Sequence, residues 1–125
     1  MAKAARKAAE EIREFALGLP GAHEDFPWGE RVMKVGKKVF VFMGKVDDEG
    51  GGTMGFSVKL PHSGAEALEL PFCEPTGYGL GKAGWVSASF GPRDNLPKDL
   101  ILRWIEESYR AVAGKRQIAE LDARR

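Results

Sequence analysis

The chain has 125 residues, with 19 Lys and Arg against 18 Asp and Glu and a formal net charge of +1. That length suits one domain burying roughly two-thirds of its unfolded surface, and the even charge excludes a strongly basic nucleic-acid binder, so any such role must rest on where the charges sit. Cys73 stands alone, which excludes an internal disulfide and suits a reducing cytoplasm, while no apolar run approaches the ~18 residues of a membrane span and the charged start MAKAARKAAEE lacks a signal peptide's apolar core.

Apolar residues at Ala5, Ala8, Ile12, Phe15 and Leu19 predict a one-faced helix from Ala2 to about Leu17. Lys3, Lys7, Glu10, Glu11 and Glu14 fall on its wet side, and Gly18 and Pro20 end it. Pro20–Gly29, PGAHEDFPWG, reads as a structured connection rather than a helix, fixed to the core by Phe26 and Trp28. His23-Glu24-Asp25 is the densest ionisable cluster, but a metal site needs three or four converging ligands, and the other histidine, His62, is distant in sequence. Exposed turn residues are the expectation, with no metal.

Arg31–Gly44, RVMKVGKKVFVFMG, is the organising hairpin. Gly36 at the first central position suits a type II′ turn. Val35 should then face Lys38, and Met33 should face Phe40. Val39–Met43 is apolar on both faces and predicts a central strand. Lys45–Gly52 is a polar, glycine-rich loop whose Asp47-Asp48-Glu49 lacks the ligand spacing of a calcium hand. Thr53–Leu60 alternates cleanly: Met54, Phe56, Val58 and Leu60 face one way, Thr53, Gly55, Ser57 and Lys59 the other. Ser63-Gly-Ala-Glu66 spells a capping box for a short helix through Leu70 that ends at Pro71. Cys73 has no histidine beside it and reads as an inert thiol.

Gly79-Leu-Gly81-Lys-Ala-Gly84 matches the spelling of a dinucleotide loop, but the strand pattern Trp85–Phe90 follows where a helix is required. Ala83 also stands where a phosphate loop needs Ser or Thr. The stretch Thr76–Gly84 is therefore expected to be a glycine-rich hairpin arm. Pro97 opens a last helix whose buried stripe is Leu100, Ile101, Trp104, Ile105, Ser108 and Val112, with Gly114 near its end and a charged tail beyond.

The order α-β-β-β-α-β-β-α predicts an α+β two-layer sandwich: an antiparallel sheet of about five strands with the helices on one face. One domain is expected over residues 1–116, with a charged tail at 117–125. The helices should cover Met54, Phe56, Val58, Val86, Ala88 and Phe90. Thr53, Ser57, Lys59, Trp85, Ser87 and Ser89 then share an uncovered face, where an exposed indole could stack on bases and lysines could meet phosphates.

Leu19-Pro-Gly21, Glu24-Asp25, Pro27-Trp28-Gly29, Val35-Gly-Lys37-Lys-Val-Phe40, Gly84-Trp85-Val86 and Ser108-Tyr109 together resemble the MmcQ/YjbR family, over about Glu10 to Arg116. The resemblance implies a fold similar to that of bacterial frataxin, the CyaY-like fold. It also implies a DNA-binding role through β-hairpin wings at Gly36-Lys37-Lys38 and around Lys82. The resulting expectation is a cytoplasmic, non-catalytic DNA-binding protein without a cofactor, using Lys37, Lys38, Lys59, Lys82 and Trp85. The alternative is a protein-interaction or chaperone-like domain that uses the same face, or a sheet edge, for a partner or a second copy.

Overall fold

Alternating apolar strands need a cover, and two amphipathic helices supply it on one side of a single antiparallel sheet. The computed structural model describes residues 2–27, 30–43, 54–77, 79–91 and 96–124, with side chains from residue 7 onward. The elements are α1 (Ala2–Leu17), β1 (Ala22–Asp25), β2 (Val32–Val35), β3 (Lys38–Met43), β4 (Met54–Lys59), α2 (Gly64–Ala67), β5 (Cys73–Pro75), β6 (Trp85–Phe90), α3 (Lys98–Val112) and α4 (Lys115–Ala123), with a 3-10 turn at Leu80–Ala83 before β6. The sheet order is β1-β2-β3-β4-β6-β5, every pair antiparallel. The architecture is the expected α+β two-layer sandwich, with β3 in the interior of the sheet as its doubly apolar pattern predicts.

The sheet has six strands where about five were expected. Ala22–Asp25, expected as a connection, is an edge strand paired to β2 from Ala22↔Val35 to Asp25↔Val32. Its sequence, AHED, has no buried face of its own and takes its conformation from its neighbour. The glycine-rich stretch is the connection of the β5–β6 hairpin rather than one of its arms: the paired strand before it is Cys73–Pro75, and Leu80–Ala83 winds into a 3-10 turn between Gly79 and Gly84, both at positive φ. Thr53 and the Asp47-Asp48-Glu49 loop lie outside the described residues.

The hairpin register also departs from expectation. Val35 does pair with Lys38, and Gly36 carries the positive φ, 62°, that its turn position requires. Met33, however, pairs with Val41 rather than Phe40, because Phe40 of β3 is an extra, bulged residue opposite the Met33-Lys34 step of β2. The extra residue lets both Phe40 and Val41 point beneath the sheet, and both are fully buried.

The helix-facing layer holds Met54, Phe56, Val58, Val86, Ala88 and Phe90 as expected, together with Ile12 and Ala16 of α1 and Ile101, Trp104, Ile105 and Tyr109 of α3. Tyr109 meets Phe40 edge-on at 5.4 Å between ring centroids, and its hydroxyl donates to the Pro20 carbonyl at 2.5 Å. Ser108, on the apolar stripe, is wholly buried and fully bonded. It accepts the Lys59 N–H at 2.8 Å and donates to the Phe40 carbonyl at 2.5 Å. These are backbone groups of β3 and β4 just past the Val41↔Val58 pair, where the ladder stops. One helix hydroxyl thus joins two strands where they no longer pair.

The capping box does not form. Ser63 makes no cap bond from its side chain. Its hydroxyl donates instead to Glu107 of α3, whose other oxygen accepts the N–H groups of His62 and Ser63, each at 2.9 Å. The α2 entrance is capped from another element. The stretch 117–125 is helical through Ala123 as part of α4. Leu121 is buried, and Arg124 donates to the Gly18 carbonyl at 2.7 Å, closing the last turn of α1.

Candidate nucleic-acid interface

Four strands decide where the predicted site residues fall. β2 runs into the Gly36-Lys37 turn and β3 leaves it at Lys38. β4 returns to that end at Lys59, whose partner across the ladder is Trp85, the first residue of β6. Lys82 sits on the 3-10 turn just before it, and the Leu60 N–H bonds to the Gly84 carbonyl at 2.8 Å, tying the two segments together. Lys37, Lys38, Lys59 and Lys82, scattered in sequence, therefore share one end of the sheet. Lys37, Lys38 and Lys82 are exposed and Lys59 is half-buried.

Their surroundings set them apart from seven other cations among the described residues. Arg13 and Arg31 both face Glu24, Lys34 pairs with Asp25, Lys98 with Glu11, and Arg110 with Glu106 and Asp122. Arg103 and Arg124 donate to backbone carbonyls. The side-chain amines of Lys37, Lys38, Lys59 and Lys82 have no hydrogen bond or ion pair among the described residues. Glu107, which also comes near this end through His62 and Ser63, is committed to three donors.

Trp85 requires a correction. It lies on the sheet face away from the helices, as its alternation predicts, but its indole is not open to a base: it is only 8% exposed. The ring packs edge-on against Phe42 at 5.1 Å. Between them runs β4, whose outward residue at that level, Ser57, is small enough for two aromatics to close over it. Beside this pair the outer face carries a hydroxyl chain, Ser57 to Ser87 at 2.7 Å and Ser87 to Thr76 at 2.9 Å. Trp85 is a packing residue of the outer face, not a stacking platform.

The cluster His23-Glu24-Asp25 is spent on structure. The Glu24 carboxylate takes Arg13, and Asp25 accepts the Phe26 N–H at 2.8 Å and lies 3.3 Å from Lys34. The Phe26 amide and then Lys34 hold the Asp25 carboxyl below its usual range. Among the described residues no three His, Cys, Asp or Glu side chains converge as metal ligands. Half-buried Cys73 has its thiol pushed up by burial, away from nucleophilic character.

The element that sequence reasoning left open, as a charged tail either helical or frayed, is α4. Its Gln117 lies against Gly21, where an added Cβ would meet Gln117 Cγ at 3.3 Å and Val35 Cγ2 at 3.8 Å. Lys115 and Arg116, both exposed, come two residues and one residue before Gln117. They therefore stand beside the β2–β3 turn. The only signal in sequence was the Ile118 and Leu121 pair, one helical turn apart within a charged stretch.

A mixed sandwich with hairpin-borne lysines defines a class of small α+β domains, and the comparisons give it a family. The YjbR family model matches residues 17–111, so the chain belongs to the YjbR family. The crystal structure of the Deinococcus radiodurans protein DR2400, with domain DUF419, is similar at TM-score 0.68 and 25% identity, covering 90% of this chain and 86% of that one. A Pseudomonas syringae protein shares the fold at TM-score 0.62 and 19% identity, covering 82% of this chain and 96% of that one. A comparison with curated proteins gives no match. Among the described residues no helix is long and apolar enough to cross a membrane.

Proposed function

We propose that this is a non-catalytic, cytoplasmic DNA-binding member of the YjbR family that holds the phosphate backbone on the lysine-bearing end of its sheet. The observation that carries the reading is the convergence of Lys37, Lys38, Lys59 and Lys82, without carboxylate partners among the described residues, on one end of a sheet whose other cations are mostly paired. A near-neutral protein can still present a local positive potential when its carboxylates are spent elsewhere. Lysines on turns suit backbone contacts, which position a protein on DNA without reading sequence. The role suggested for Trp85 is dropped from the reading.

Fluorescence anisotropy with a labelled ~20-base-pair duplex at ~50 mM salt tests it. Lys37→Ala with Lys38→Ala should weaken binding and reduce the salt slope by about two units, roughly 0.9 per lost phosphate contact. Absence of any binding by the unaltered protein would refute the proposal. The competing reading, a partner chain added to the sheet, has less support. The edge strands are short, β1 carries His23, Glu24 and Asp25, and β5 ends in Pro75, all features that blunt strand addition. The outer face is occupied at its centre by the Phe42–Trp85 pair.

A further inference from the structure

We infer that α4 extends the phosphate-binding surface, with Lys115 and Arg116 as further contact residues, and that the ligand is an extended phosphate polymer rather than a nucleotide or a free anion. This rests on the reading above. The observations are positional. Gln117 against Gly21 sets the first turn of α4 at the start of β1, whose Ala22 pairs with Val35, the residue before the Gly36-Lys37 turn. Arg124 on Gly18, Arg110 on Asp122 and buried Leu121 hold the rest of the helix in place. Lys115 and Arg116 are exposed and, like the four lysines, make no ion pair among the described residues. They lie beyond residues 17–111, the segment shared with the family, so this part of the surface is a feature of the chain's own C-terminal helix.

The reach of the surface decides the size of the ligand. From β1, beside α4, to β6, beside Lys82, the sheet crosses β2, β3 and β4. Those are four gaps of about 4.8 Å, or about 19 Å. Consecutive phosphates on one DNA strand advance ~3.4 Å along the duplex axis, so about five or six of them fit that span. A pyrophosphate or a nucleotide could meet only a neighbouring pair of these cations and would leave the rest unneutralised.

The test compares the unaltered protein, Lys115→Gln with Arg116→Gln, Lys37→Ala with Lys38→Ala, and Lys7→Ala as a control in the cleft between α1 and α3. Glutamine removes the charge while keeping helix propensity, and matching thermal melts establish that the variants are folded. On a labelled ~20-base-pair duplex, the glutamine variant should bind roughly tenfold more weakly at ~50 mM salt and lose about two units of salt slope. Lys7→Ala should bind as the unaltered protein does, and millimolar pyrophosphate should leave the complex largely intact. If the glutamine variant keeps full affinity and slope while the Lys37/Lys38 variant loses both, the inference about α4 fails and the DNA-binding reading stands. Displacement by micromolar pyrophosphate would overturn the extended-ligand claim. No binding by the unaltered protein would remove both.

Discussion

At the scale of single residues, two side chains carry more than their size suggests. Ser108 sits on an otherwise apolar helix stripe, yet both its lone pair and its proton are used, on Lys59 and Phe40. Removing it strands a donor and an acceptor in a dry place. Ser108→Ala should therefore cost about 2–3 kcal/mol, more than a typical surface change, as read from urea denaturation. Trp85 makes the opposite point. Its indole works within the fold, so Trp85→Leu should lower stability by about 2 kcal/mol through lost packing against Phe42. The same variant should bind duplex DNA as well as the unaltered protein under conditions where it is folded. A stacked base would have cost ~1–3 kcal/mol of affinity, so the anisotropy titration distinguishes the two roles.

At the scale of elements, the entrance to α2 is governed by α3. Burial pushes the Glu107 carboxyl up, but the Ser63 hydroxyl, the Ser63 amide and the His62 amide together outweigh that and leave it below the usual range. A carboxyl lowered in the folded state stabilises fully above its unfolded value, about 4.3. That stabilisation is lost as pH falls through the lower folded value. Glu107→Ala should thus be less stable than the unaltered protein at pH 7, by about 1–2 kcal/mol for three charge-assisted bonds at a half-exposed site. The gap should narrow below about pH 4, as thermal melts across pH would show. The capping-box spelling Ser63–Glu66 suggested a local solution, and the fold chose a distant one because α3 already passes overhead. The edge strands were hidden for a related reason. Ala22–Asp25 and Cys73–Pro75 carry no pattern of their own and become strands only by pairing with neighbours. The bulge at Phe40 has no glycine to announce it. By contrast, β3, β4 and β6 were legible because their burial alternates or saturates as their side chains do.

At the scale of the whole molecule, the sandwich and its covered face could be read from apolar periodicity alone, and so could which side of the sheet Trp85 occupies. Its exposure could not, since that depends on Phe42, two strands and 43 residues away in sequence, reaching it across Ser57. The lysine group was nameable but not mappable: Lys37 and Lys82 become neighbours of one surface only once the order β3-β4-β6 is known. Charge pairing then separates the cations into those with carboxylate partners and those without among the described residues. The carboxylates of Glu24, Asp25, Glu11 and Asp122 are each matched to a partner, while the four lysines of the sheet end have none among the described residues, in a chain whose total charge is close to zero.

The seam between β3 and β4 bears on how such a surface would meet its ligand. A bulge increases local twist, so the angle at which the Lys37-Lys38 tip stands out from the sheet originates at Phe40, and the hydroxyl holding Phe40 belongs to the opposite layer. On the proposed reading, a polyanion held at that tip would have its angle set from beneath the sheet, through the α3 hydroxyl that bonds Phe40.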